Sequence, residues 1–239
     1  MSSDSLVFFM HGKWSRPNTY VFKALEKLLI SKNYTVKKLD MPWSKYRNYD
    51  QSYDDALHEL KTKIEEHQRA GFKKIILIGH SLGANACFAY QSKYNDADAI
   101  IAIAPGHRPE SLFGNNQYQQ WLRIAKRNID TGQGEQLISF EDINSGYKKT
   151  FNIMSKVFYS YYCPTGLGNM TSAVSKIKKS TPVLYIEARA DKVRLGPEYV
   201  FFRLPKNSYN SYKLVESNHM DCVKVSKNLV IEWLTDLKK

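Results

Sequence analysis

The stretch Lys74-Ile-Ile-Leu-Ile-Gly79-His80-Ser81-Leu82-Gly83 constrains this chain more than any other. Ile75 to Ile78 form an apolar run that is mostly β-branched and too short for a helix. Such a run marks a buried strand of a parallel sheet. Leu82, Ala84, Ala86, Cys87, Phe88, Ala89 and Tyr90 follow at once and read as a helix. A single sharp turn centred on Ser81 must therefore join strand to helix. Gly79 and Gly83 flank the serine at two residues on either side, where the two backbones nearly touch and side chains would obstruct. A turn of this kind lifts the serine hydroxyl clear of the sheet. Gly-x-Ser-x-Gly acquires meaning only in that strand–turn–helix setting.

The rest of the chain alternates. Strands are expected at 6–10, 34–39, 74–79, 99–104, 182–188 and 211–215, and helices at about 19–31, 52–70, 82–94 and 223–237, with a short one near 197–203. Helix 52–70 places Tyr53, Leu57, Leu60, Ile64 and His67 on one face, a helical stripe that reads as core. Leu229, Val230, Trp233, Leu234 and Leu237 do the same for the last helix. Alternating strands and helices predict an α/β fold: one domain, residues 1–239, with a doubly wound, mostly parallel six-stranded sheet flanked by helices.

With its elbow at Ser81, the chain resembles the α/β-hydrolase superfamily, and the resemblance covers most of the sequence. It implies a triad in the chain order nucleophile, acid, histidine. Ser81 is then the nucleophile. Of six histidines, only His219 lies near the C-terminus, after the last strand, where the superfamily places its base. Asp191 follows the strand beginning at Pro182 and is the expected acid; Glu187, at the strand end, is its rival. The strand Leu6 to Met10 runs into His11-Gly12, the junction that supplies one oxyanion N–H in this superfamily. The donors would be the backbone N–H groups of Leu82 and Lys13, with Trp14 the alternative to Lys13. Larger members carry two strands ahead of the one at Leu6, so this chain resembles the compact end of the superfamily.

Residues 107–176 interrupt the alternation where the superfamily inserts a cap. A structureless loop of that length is implausible inside a compact domain, and Gln117–Asn128 and Lys148–Tyr161 look helical. A small helical cap is therefore expected. His11, Trp14, Trp121, Tyr161 and Tyr162 are candidates for a substrate pocket, although aromatics there serve equally well to dock a cap onto the body.

The formal net charge is +12. Lys and Arg are spread along the chain rather than clustered, and no nucleic-acid motif accompanies them. Solvated lysines explain most of the excess, with some steering of anionic substrates. No zinc-ligand spacing is seen, and no cofactor is implied. The three cysteines form no paired framework and suit a reducing compartment. No apolar run is long enough to cross a bilayer, and no signal-peptide pattern precedes Leu6, so a cytoplasmic chain is expected, monomeric or weakly dimeric. The residues thus point to a serine hydrolase of small acyl esters or thioesters. An acyltransferase using the same acyl-enzyme and a catalytically silent binding protein are the rival readings.

Overall fold

The computed structural model describes residues 4–112, 114–144 and 146–238. Six strands form one sheet: β1 (Ser5–Met10), β2 (Thr35–Leu39), β3 (Lys74–His80), β4 (Ala99–Ile103), β7 (Val183–Ala188) and β8 (Ser211–Val215). Their order is β2-β1-β3-β4-β7-β8, and every pairing is parallel. Sequence period dictates the two faces. Leu6, Phe8, Met10, Ile75 and Leu77 enter one core, packed with residues of α2 (Tyr53–Arg69) and α3 (Leu82–Tyr94). Val7, Phe9, Ile76 and Ile78 enter the other, with α1 (Tyr20–Ser31) and α8 (Cys222–Asp236). Helices thus cover both faces, as continuous apolar strands require.

Helix α2 shows how local sequence sets an element. Ser52 caps it by accepting the Asp55 N–H at 3.1 Å, Asp54 and Asp55 sit in the first turn, and Tyr53, Leu57, Leu60 and Ile64 are buried. Cap, first-turn charge and apolar stripe all favour a helix.

The strand order places the functional edge. From β1 the chain moves outward to β2, then returns to the other side of β1 as β3. The carboxyl ends of β1 and β3 therefore flank a switch point, where ligand crevices form in open α/β sheets. Met10 pairs with Gly79 there, and His80 with Ile103.

Between β4 and β7 the chain builds α4 (Pro109–Leu112), α5 (Asn116–Asp130), β5 (Leu137–Asn144), β6 (Tyr147–Met154), α6 (Ser155–Tyr162) and α7 (Met170–Val174). Asn115 caps α5 through the N–H groups of Gln117 and Tyr118. The segment is not purely helical. The helix expected over 148–161 begins only at Ser155, because residues 147–154 pair antiparallel with 137–144. Ile138, Phe140 and Asp142 on one strand, and Phe151 and Ile153 on the other, turn inward. That alternation has the period of a strand, not of a helix.

Candidate active site

Ser81 ends the turn between β3 and α3 at φ 56°, ψ −123°, a positive φ that non-glycine residues seldom adopt. Its two glycines are steric necessities. A methyl on Gly79 would collide with the backbone of Gly83 and Ala84, and one on Gly83 with the Met10 carbonyl. Strand, helix and the neighbouring strand therefore meet at backbone contact, which holds the serine in its strained geometry. The Ser81 N–H donates to Ile103 O at 3.1 Å, fixing the turn to β4.

Asp191 and His219 come from the loops after β7 and β8. His219 Nδ1 donates to Asp191 Oδ2 at 2.6 Å, and the Val193 N–H donates to Asp191 Oδ1 at 3.0 Å. Burial pushes the Asp191 carboxyl up, but the bonds from His219 and Val193 outweigh it and hold the group below the usual range. The imidazole and the serine hydroxyl border the same gap. A methyl on Gly106 would lie 3.3 Å from Ser81 Oγ and 3.4 Å from His219 Cε1. Among the described residues the two side chains are not yet hydrogen bonded to each other; such contacts often close only when substrate binds. Glu187 is occupied elsewhere. It accepts the N–H groups of Leu195 and Gly196 and the Tyr212 hydroxyl, 2.7 Å away.

Leu82 and Lys13 both line the cleft beside Ser81. Leu82 opens α3, so its N–H belongs to the first turn, where donors lack an intrahelical acceptor. The alternative donor, Trp14, is excluded: its N–H is spent on Trp43 O at 2.9 Å. Lys13 is the residue of the β1 junction left to face the cleft.

The cleft has a volume of about 620 Å³ and runs from Ser81 and His219 to Leu112, Tyr118 and Tyr162. Of the expected pocket aromatics only Tyr162 lines it. His11 is buried beneath, with Nδ1 donating to Gly12 O at 2.9 Å and Nε2 accepting the Met41 N–H at 3.2 Å. Tyr161 is fully buried among Trp43, Tyr49 and Tyr53 and docks α6 onto the body. Trp121 packs on Tyr118 and Phe140, and Trp14 on Phe151. These four lie behind the wall. The helical and strand periods of the segment turn its larger rings toward the core, leaving Leu112, Tyr118, Ile143 and Tyr162 at the cavity. The only carboxylate among the described lining residues is Asp191, whereas Arg108 and Lys192 both line the cleft. No group of three or more His, Cys, Asp or Glu among the described residues could hold a metal ion.

A parallel sheet with a strained serine turn, an Asp–His pair and a switch-point cleft define an α/β hydrolase. The sequence model of the family described as "Serine aminopeptidase, S33" matches residues 4–152, more than half of the chain, and the chain belongs to that family. A search of curated proteins returns no match. Solved structures share the fold. Est1E from Butyrivibrio proteoclasticus, solved with ferulic acid, aligns at TM-score 0.67 and 17% identity over 100% of this chain and 92% of that one. A monoacylglycerol lipase of Paleococcus ferrophilus aligns at TM-score 0.67 and 19% identity over 97% and 94%. The α/β hydrolase GrgF from Penicillium sp. sh18 aligns at TM-score 0.71 and 16% identity over 98% and 89%.

Proposed function

We propose that this chain is a serine hydrolase that cleaves a small carboxylic ester or thioester through Ser81, His219 and Asp191. The observation that carries the reading is the 2.6 Å bond from His219 Nδ1 to Asp191, beside a serine held on a strained turn. With Nδ1–H committed to the carboxylate, Nε2 is the free basic nitrogen. It takes the Ser81 proton as Oγ attacks the carbonyl carbon. The carbonyl oxygen becomes an oxyanion, met by the N–H groups of Leu82 and Lys13. Collapse expels the alcohol or thiol, protonated by His219, and leaves an acyl-Ser81. Water, deprotonated by His219, then releases the acid.

The family's description names an aminopeptidase, and the cleft favours esters over such a substrate. An α-amino group calls for a carboxylate to receive it. The one carboxylate among the described lining residues is already bonded to His219. The structural neighbours, a monoacylglycerol lipase and Est1E with ferulic acid bound, are consistent with this choice. The body between β4 and β7 acts as a cap that shapes the acyl side of the cleft. The three cysteines are unpaired and buried, which suits a reducing compartment such as the cytoplasm, and no helix among the described residues is long and apolar enough to cross a membrane.

Labelling with a fluorophosphonate, followed by peptide mapping, tests the proposal. The wild-type protein is expected to label at Ser81 and to hydrolyse p-nitrophenyl esters. Ser81→Ala should fold and lose both. Equal labelling of the alanine variant would refute the nucleophile. Adding a primary alcohol acceptor separates hydrolysis from acyl transfer: free acid should remain the main product.

A further inference from the structure

Asp142 is charged, 1% exposed, and placed at the tip of a hairpin more than a hundred residues from the loop it serves. Four donors saturate it. Oδ1 accepts Lys13 Nζ at 2.7 Å and the Ile143 N–H at 2.9 Å; Oδ2 accepts Trp14 Nε1 at 3.1 Å and the Tyr49 hydroxyl at 2.8 Å. Lys13 is held twice more by the same hairpin. Its ammonium donates to Ile143 O at 2.6 Å, and its own carbonyl accepts Asn144 Nδ2 at 3.0 Å. Three consecutive hairpin residues therefore clasp one residue of the β1 junction at both its side chain and its main chain. The next residue, Trp14, is at φ 57°, a conformation that a bulky residue holds only when its surroundings enforce it. Its N–H bond to Trp43 O and its indole bond to Asp142 supply that enforcement.

We propose that Asp142 is a positioning residue for the oxyanion hole: it fixes Lys13, so that the Lys13 backbone N–H stays aimed at the developing oxyanion. This rests on the serine-hydrolase reading above. The chemical logic is specific to a carboxylate. Two oxygens can accept four donors, and the negative charge is compensated in place by the Lys13 ammonium. An amide at 142 presents one oxygen and adds two donors. It would face Lys13 Nζ or Trp14 Nε1 with an N–H and release one of them. The oxyanion N–H would then sample more orientations without being deleted. Because the hairpin also forms part of the cleft wall through Ile143 and Asn144, substrate contacts at the hairpin tip and alignment of the oxyanion donor are mechanically one unit.

Asp142→Asn, Lys13→Met and Asn144→Ala test this, each keeping the Lys13 N–H. Removal of an oxyanion donor lowers kcat by about 10²–10³; misalignment should cost less, about 10- to 100-fold in kcat for Asp142→Asn and Lys13→Met. KM for a p-nitrophenyl ester should change by less than about threefold. The rate of fluorophosphonate labelling at Ser81 should fall in parallel, since the phosphonyl oxygen occupies the same site. The Asp142→Asn/Lys13→Met double variant should be no worse than the weaker single variant. Folding is checked by circular dichroism. If Asp142→Asn does not fold, Lys13→Met and Asn144→Ala decide, the latter with a smaller drop in kcat. A folded Asp142→Asn or Lys13→Met with kcat and labelling rate within twofold of wild type overturns the inference. Singles whose losses multiply in the double overturn it too. A wild-type protein that neither labels nor cleaves esters would instead remove the hydrolase reading on which it stands.

Discussion

His80 Nε2 donates to the backbone carbonyl of His219 at 2.9 Å, so the residue before Ser81 ties down the loop that carries the proposed base. The two rings lie 4.8 Å apart. Burial, followed by the proximity of His219, pushes the His80 pKa down to about 3. His80 is thus neutral at working pH, and its Nε2 hydrogen is committed to that carbonyl. In the proposed acylation, a second charged imidazole beside His219 would repel the imidazolium that forms there; a neutral donor does not.

Replacing His80 should therefore loosen His219 without removing Ser81, the proposed nucleophile. His80→Ala is expected to lower kcat about tenfold, with KM nearly unchanged and faster amide hydrogen exchange over residues 217–220. A loss of activity with unaltered exchange there would contradict the tether.

The two carboxylates after β7 should separate cleanly. Asp191→Asn keeps the shape of the pair but favours the wrong imidazole tautomer, and in a serine triad that costs about 10⁴ in kcat. Glu187 accepts two backbone N–H groups and a tyrosine hydroxyl instead. Glu187→Gln should lower the melting temperature while leaving kcat within a few-fold. The reverse ranking in steady-state kinetics would reassign the acid.

Acid should unfold this protein early. Burial is the largest cause that lowers His80 to about 3, His107 to about 4, and His11 below its ordinary value. In the unfolded chain each binds a proton near pH 6.5. The unfolded state then holds more protons than the native state below that pH, so stability is full above about 6.5 and is lost as pH falls toward 4. With three such groups the slope can reach about 4 kcal/mol per pH unit. Urea midpoints measured between pH 8 and 4.5 should fall steeply below 6.5. His107→Gln, which can keep a donor to Tyr161 O, should flatten that slope; an unchanged slope would argue against a buried neutral His107.

How much of this was legible in the sequence depended on periodicity. The parallel sheet, the serine turn and the strand-end loops were readable because apolar runs, glycines and chain order each have a local signature. Asp191 and His219 were found beside Ser81 through what the resemblance to α/β hydrolases implies about triad order, and the structure brings Asp191 and His219 into contact beside the Ser81 turn. The hairpin was not legible. Its first strand alternates Ile138, Phe140 and then Asp142 inward, and an acid at an inward position erases the apolar pattern. The partner that makes that acid tolerable, Lys13, lies 129 residues away. Whether Tyr161 and Trp121 line the cleft or dock the cap stayed open in the sequence for a related reason. Composition marks an aromatic cap, but only the phase of each element tells which ring faces the cleft and which faces the core.

That phase predicts where chain-length preference resides. Leu112, Tyr118 and Tyr162 line the cleft, whereas Trp121 and Tyr161 do not. Leu112→Ala and Tyr162→Phe should shift the ratio of kcat/KM for long and short acyl esters, by about 1–3 kcal/mol for each methylene-sized change. Trp121→Ala should reduce thermal stability and leave that ratio alone. A shifted ratio in Trp121→Ala, with none in Leu112→Ala, would mean that the wall is lined differently.

The cleft should also select for charge. Arg108 and Lys192 line it, and neither enters a salt bridge among the described residues. Glu110, two residues beyond Arg108, offsets part of that charge. The sole carboxylate among the described lining residues is committed to His219. An ester that carries a carboxylate on its acyl chain should therefore be preferred over the neutral ester of equal length. Exposed charge contacts contribute only about 0.2–1 kcal/mol each, so the two together should give a preference of about 2- to 30-fold in kcat/KM. It should shrink when salt rises from about 0.01 to 0.5 M, because the screening length drops from about 30 Å to a few ångströms. Arg108→Gln and Lys192→Gln should each lower the preference for the anionic ester by about 1.4- to 5-fold and leave the neutral ester unaffected. Comparing p-nitrophenyl butyrate with the p-nitrophenyl hemisuccinate, each corrected for spontaneous hydrolysis, reads this directly. A preference for the neutral ester at low salt would show that these cations face solvent rather than substrate.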